Sequence, residues 1–192
     1  MIGRALVGAV AAAVAMFILG FIFFATPIAG LGLDSVPDAQ AAAVQASLAQ
    51  SLPETGTYSV PSGLTSSQTV MYGQGPIATI HYNSRGYAIG DAQTMIAGFV
   101  HMLVVALLLA AALGSLSRFV PRFGEQTRLL VLAVLAATVF MRLGEPVRYH
   151  HDWTYAIYLF VTDTISLLVA GLIILKLLPR AAAAPAGARA ES

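Results

Sequence analysis

Three side chains with acid–base or charge chemistry fall inside otherwise apolar stretches: His101, Arg142 and Asp163. Asp163 is the sharpest of them, at the middle of the run Trp153-Thr-Tyr-Ala-Ile-Tyr-Leu-Phe-Val-Thr-Asp163-Thr-Ile-Ser. A bare carboxylate in hydrocarbon is costly, so it faces a partner, a cavity or a bundle interior. An imidazole and a carboxylate at one depth can share a hydrogen bond or pass a proton, and a guanidinium can neutralise the carboxylate. The same trio could line a site for a proton, a quinone-like molecule or a lipid. It could equally act as polar glue between helices. A second polar group, Glu145, His150, His151 and Asp152, surrounds the start of the last apolar stretch. Imidazole with carboxylate suits several transition metals. Adjacent histidines rarely point at one ion, however, and no metal is expected there.

Other chemistry is excluded by what the chain lacks. It has no cysteine, so disulfides, thiolate metal sites and a thiol nucleophile are ruled out. Bis-histidine haem ligation needs histidines on facing helices, and only His101 lies within a span. No cofactor is expected. No nucleophile elbow, phosphate-binding glycine loop or paired catalytic carboxylates occur, so no enzymatic activity is expected. A net charge of +1 leaves no electrostatic footprint for nucleic acid.

The elements that must position these residues are membrane spans. The chain is 58% hydrophobic and 10% charged, against roughly a quarter charged in soluble domains. Four apolar runs are each long enough to cross a bilayer. They lie at 5–26, 93–116, 127–144 and 153–175. The first follows a single Arg4 and is longer than a typical signal-peptide core, so it reads as an uncleaved signal anchor. Pro146 is expected to end the third span and to push Glu145 out of the helical region. Small residues four apart suggest packed faces: Ala5, Ala9 and Ala13 with Gly8 and Ala12; Ala106, Ala110 and Gly114; Ala133 and Ala137; Ser166 and Ala170.

Residues 27–92 change character, with Gly, Pro, Ser, Thr and Gln dominant. One short helix is expected over 39–52, where Val44, Leu48 and Leu52 make a narrow apolar stripe before Pro53. Short strands are expected at Thr57–Val60, at Thr69-Val-Met-Tyr72 and at Ile77–Tyr82. His81 is expected at the surface of its strand. The apolar content is meagre, so this α+β insert is expected to lean on the bundle or on a partner. The expected organisation is a first span over 1–26, an extracytoplasmic insert over 27–92, three spans over 93–180 and a flexible cytoplasmic tail over 181–192. The fold class is an all-α membrane protein, a four-helix transmembrane bundle with a small α+β insert between spans 1 and 2.

Orientation follows from Lys and Arg. With the N-terminus in the cytoplasm, Arg4, Arg118, Arg122, Arg128, Lys176, Arg180 and Arg189 lie inside, and Arg85, Arg142 and Arg148 outside. That asymmetry satisfies the positive-inside rule, with both termini cytoplasmic and the insert periplasmic. Trp153, Tyr155 and Tyr158 are expected in the outer aromatic belt. At about 1.5 Å of rise per residue, Asp163 lies roughly 15 Å below Trp153 and His101 roughly 12 Å below Gln93. Matched depth predicts a His101–Asp163 hydrogen bond, with Arg142 as the alternative partner.

The segment Pro53-Glu54-Thr55-Gly56-Thr57-Tyr58-Ser-Val-Pro61, followed by Gly75-Pro76-Ile-Ala-Thr-Ile-His-Tyr82 and three spans, resembles a group of small bacterial inner-membrane proteins. Those proteins have four spans and a short extracytoplasmic insert. The resemblance implies topology and carries no activity. Two function classes follow from the residues. One is a non-catalytic accessory or assembly subunit that meets the lipid bilayer and other integral membrane subunits. The other is a small binding or transport module built on the intramembrane polar trio.

Overall fold

Four helices in the computed structural model are long and apolar enough to cross a membrane: Gly3–Phe24, Ala92–Leu116, Phe123–Tyr149 and Trp153–Leu177. The structure describes residues 2–178. The tail expected at 181–192, with Arg180 and Arg189, lies outside them. In chain order the elements are α1 (Ile2–Phe24), a 3-10 turn (Pro27–Leu31), α2 (Asp38–Ser51), β1 (Gly56–Val60), α3 (Ser66–Gln74), β2 (Ala78–Tyr82) and α4 (Ala92–Leu116). There follow α5 (Phe123–Thr138), a π-helical turn (Val139–Leu143), α6 (Gly144–Tyr149) and α7 (Trp153–Leu177). The chain forms two compact units, 1–34 with the helices from Ala92 onward, and Ser35–Asp91.

In the helical unit α1 packs along α4 and α7, and α7 also meets α5 and the π turn. One core joins them. It holds Ala9, Ala12, Ala13 and Met16 of α1, Ala106, Ala110 and Leu113 of α4, Leu130 and Val134 of α5, and Ala170, Ile174 and Leu175 of α7. Small side chains dominate because lipid is as apolar as Leu, and helices associate by close approach. The faces expected on α1, α4 and α7 are used, with Ala9, Ala13, Ala106, Ala110 and Ala170 buried.

The face expected on α5 is not used: Ala133 and Ala137 are exposed. Gln126, Leu130, Val134 and Thr138 are buried instead, again four apart. The reason lies on α7, where Gly171 leaves a notch for Leu130. A Cβ on Gly171 would lie 2.5 Å and 2.7 Å from the two δ-carbons of Leu130. Leu130 is only 3% exposed, so it has little room to retreat. Gly171→Ala is expected to destabilise the bundle by about 1–3 kcal/mol through overpacking. Adding Leu130→Ala should recover part of that loss, read by reversible unfolding in mixed micelles.

The third span does not stop at Gly144. It continues through Pro146 to Tyr149, and Glu145 is helical. The π turn explains this correction. It breaks the α-helical ladder just upstream, so Pro146 falls in the first turn of α6, where no intrahelical N–H is required. The helix then ends at His150, which adopts φ 54° and ψ 33° and donates its N–H to the Pro146 carbonyl. Asp152 starts α7 by accepting the Tyr155 N–H at 2.6 Å. At the other end of the third span, Gln126 donates to the Val120 carbonyl at 2.7 Å and ties the preceding loop to α5.

The second unit begins later than the expected residue 27, because the 3-10 turn belongs with the helices. Its sheet is one antiparallel pair, with Gly56 opposite Tyr82, Tyr58 opposite Ile80 and Val60 opposite Ala78. His81 is exposed, and its Nδ1 lies 3.1 Å from Thr57 Oγ1 across the pair. Thr55 and Ser84 close the open end of the hairpin at 2.9 Å. The segment Thr69–Tyr72, expected as a strand, lies in α3. Thr65 caps that helix by accepting the Gln68 N–H, and Thr69 donates back to the Thr65 carbonyl. Local capping overrides a four-residue alternation that has no partner strand. No residue of Ser35–Asp91 is fully buried.

Candidate intramembrane polar site

The π turn places Arg142 against Asp163. Arg142 donates from Nε to Asp163 Oδ2 at 2.6 Å, forming a charge-assisted bond between the third and fourth spans. A π turn holds one more residue per hydrogen-bonded ring than an α turn, and such turns recur at functional positions. Beside the ion pair, the Thr138 and Thr164 hydroxyls meet at 2.9 Å. Thr138 also bonds the Val134 carbonyl at 2.9 Å. Thr162 and Ser166 bond the backbone carbonyls of Leu159 and Thr162. The hydroxyls flanking Asp163 therefore serve their own helix or Thr138, and they do not satisfy the carboxylate.

His101 is a correction. It is exposed on α4 and makes no hydrogen bond or ion pair with the described residues. The helix rotation does not turn His101 toward the core. The face of α4 turned to the core is the Ala106, Ala110 and Leu113 face. No proton relay from imidazole to carboxylate is built here. The structure unites Arg142 with Asp163 and leaves His101 apart.

The residues around the α6–α7 connection divide into separate tasks. Glu145 Oε2 lies 3.7 Å from His151 Nδ1, with both side chains partly exposed. His150 terminates α6, and Asp152 caps α7. Among the described residues, no group of three or more His, Cys, Asp or Glu side chains gathers where it could hold a metal. Arg148 lies over the rings of Phe140 and Tyr149, 5.7 Å and 5.9 Å from their centroids.

Tyr158 is not a belt residue. It is buried, and its hydroxyl donates to the Phe23 carbonyl at the end of α1. Its ring meets Phe24 edge-on at 5.9 Å. Gly32 lies over the same ring, where a Cβ would come within 2.5 Å of Cγ. This contact fastens the 3-10 turn to the helical unit. Trp153 remains half-exposed, as an interfacial residue would.

Sequence reading missed Thr138. The available signal was its position, four residues before Arg142, paired with a hydroxyl next to Asp163. Four spans of this length and composition make the chain a multi-pass membrane protein. Comparison with protein-family models, with curated proteins and with solved structures finds no match.

Proposed function

We propose that this chain is a non-catalytic accessory or assembly subunit of a larger bacterial inner-membrane complex. One observation carries the reading: Ser35–Asp91 has no fully buried residue, yet it displays large apolar side chains. Leu64 is 88% exposed and Ile89 104%, with Val70, Met71 and Tyr87 also exposed. Exposed apolar surface of this kind marks interaction sites. A partner that covers these residues supplies the burial the unit lacks.

The test is purification in a mild detergent or in native lipid discs. The reading expects a second polypeptide at fixed stoichiometry, with Leu64, Val70, Met71 and Ile89 shielded from solvent labelling in that assembly. A chain that purifies alone, with the same residues fully labelled and a bound proton-carrying or lipid-like molecule, would replace it with the binding-module reading.

The Lys and Arg asymmetry supports cytoplasmic termini and a periplasmic Ser35–Asp91 unit. A reporter active only outside the cytoplasm, fused after Ser192, is expected to be silent. The same reporter inserted at Gly73, in α3, is expected to be active. The reverse pattern would invert the topology.

A further inference from the structure

We propose that the Arg142–Asp163 pair is the centre of a twofold contact between two copies of this chain within the membrane. The pair is incompletely satisfied. A guanidinium carries five N–H donors. Among the described residues only the Nε donor of Arg142 is engaged, and Asp163 Oδ1 has no partner. The two side chains are 30% and 31% exposed. In a soluble protein water would meet those groups. Here the exposed edge opens at the level of the spans. Asp163 lies roughly 15 Å along α7 from Trp153, near the middle of a hydrocarbon layer about 30 Å thick. Lipid headgroups and bulk water lie well above that level, so unmet donors there need another polar group in the membrane.

The neighbouring hydroxyls do not supply it, because Thr138, Thr162, Thr164 and Ser166 are engaged with each other or with backbone carbonyls. What remains is a side chain on another transmembrane helix. The open edge presents donors from Arg142 beside an acceptor from Asp163. That arrangement is self-complementary under a twofold axis along the membrane normal. Each guanidinium then faces the carboxylate of the other copy, and each copy meets the surface it presents. A second copy is the one partner whose charge pattern is already set by this sequence to match. Val139, exposed and three residues before Arg142, would sit near the axis. This contact is independent of the accessory-subunit reading, since a paired chain can belong to a larger complex or stand outside one.

The experiment uses the full chain in vesicles of phosphatidylethanolamine and phosphatidylglycerol. With no native cysteine, one introduced cysteine carries the donor or acceptor dye. Energy transfer is measured against protein density. Wild type is expected to pair. Arg142→Gln combined with Asp163→Asn is expected to pair about tenfold more weakly. The exchanged chain, Arg142→Asp with Asp163→Arg, restores both the internal pair and the twofold contact. It is expected to pair with itself and not with wild type, because a mixed dimer sets Arg against Arg and Asp against Asp. Val139→Cys is expected to form a disulfide-linked dimer on oxidation, whereas Ile96→Cys, exposed on α4, is not. A wild type that stays monomeric at every density overturns the proposal. So does undiminished pairing of the neutralised chain, or equal pairing of exchanged and wild-type chains. If the exchanged chain does not fold, the wild-type and neutralised chains decide alone.

Discussion

Asp163→Leu is expected to destabilise the helical unit by roughly 3 kcal/mol, the low end for stranding one partner of a buried ion pair. The substitution removes the only acceptor that Arg142 has among the described residues and leaves its guanidinium facing hydrocarbon. The low end applies because both side chains are partly exposed. An arginine at mid-membrane is disfavoured by a similar amount on insertion scales, about 2.5–3.5 kcal/mol. Asp163→Asn keeps an oxygen in place for Nε and should cost only about 1 kcal/mol. Arg142→Leu combined with Asp163→Leu leaves no stranded charge and should recover most of the loss. A double-mutant cycle by unfolding in mixed micelles reads the coupling directly. The exposed position of His101 means that His101→Ala should change stability little. Asp163→Leu as stable as wild type would mean that the ion pair contributes nothing to the bundle.

The excised segment 35–91 is expected to show no cooperative thermal transition. Fixing each residue costs about 1–2 kcal/mol of backbone entropy, and apolar burial is the main term that offsets it. In this unit that term is nearly absent, since no residue is fully buried. A two-stranded hairpin alone is marginal in water. Hydrogen bonds such as Thr55 to Ser84 and Tyr58 to the Glu54 carbonyl are exposed and compete with water. Circular dichroism against temperature, with amide exchange as a second probe, measures this. A sigmoidal transition with protected amides would show that the unit folds without help from any partner.

The spans were legible because a run of apolar residues is a one-dimensional signal that needs no knowledge of neighbours. The start of α2 and the β1–β2 pair were legible for the same local reason: Pro37 and Pro53 punctuate the helix, and Gly and Pro bound the strands. Rotation about each helix axis was less legible. Ala133 and Ala137 look like a packing face in sequence, and only the Gly171 notch on a different helix makes Leu130 the better choice. His101 failed in the same way, since depth can be counted along a chain but facing cannot. The Arg142–Asp163 pair was visible as an alternative partner and became the observed contact because a π turn altered the helical phase before Arg142. Nothing in Val-Phe-Met-Arg-Leu announces that turn by residue type. Thr65 as a helix cap was a readable signal that the alternation at Thr69–Tyr72 obscured.

The π turn makes the third span sensitive to length in a way the other spans are not. A five-residue hydrogen-bonded ring in place of a four-residue one amounts to one surplus residue in the helix. Deleting a single residue between Val139 and Leu143 would let the ladder close as ordinary α-helix. Everything beyond would keep nearly its present facing, because the wide ring already absorbs the surplus residue. Pro146, however, would fall in a helix interior, where its missing N–H and its ring are both penalised. An ordinary α-helical span tolerates a deletion near its end by shortening. Here the same deletion would move the proline from a permitted place to a forbidden one, so the surplus residue keeps the whole last turn of the span compatible with the chain that follows.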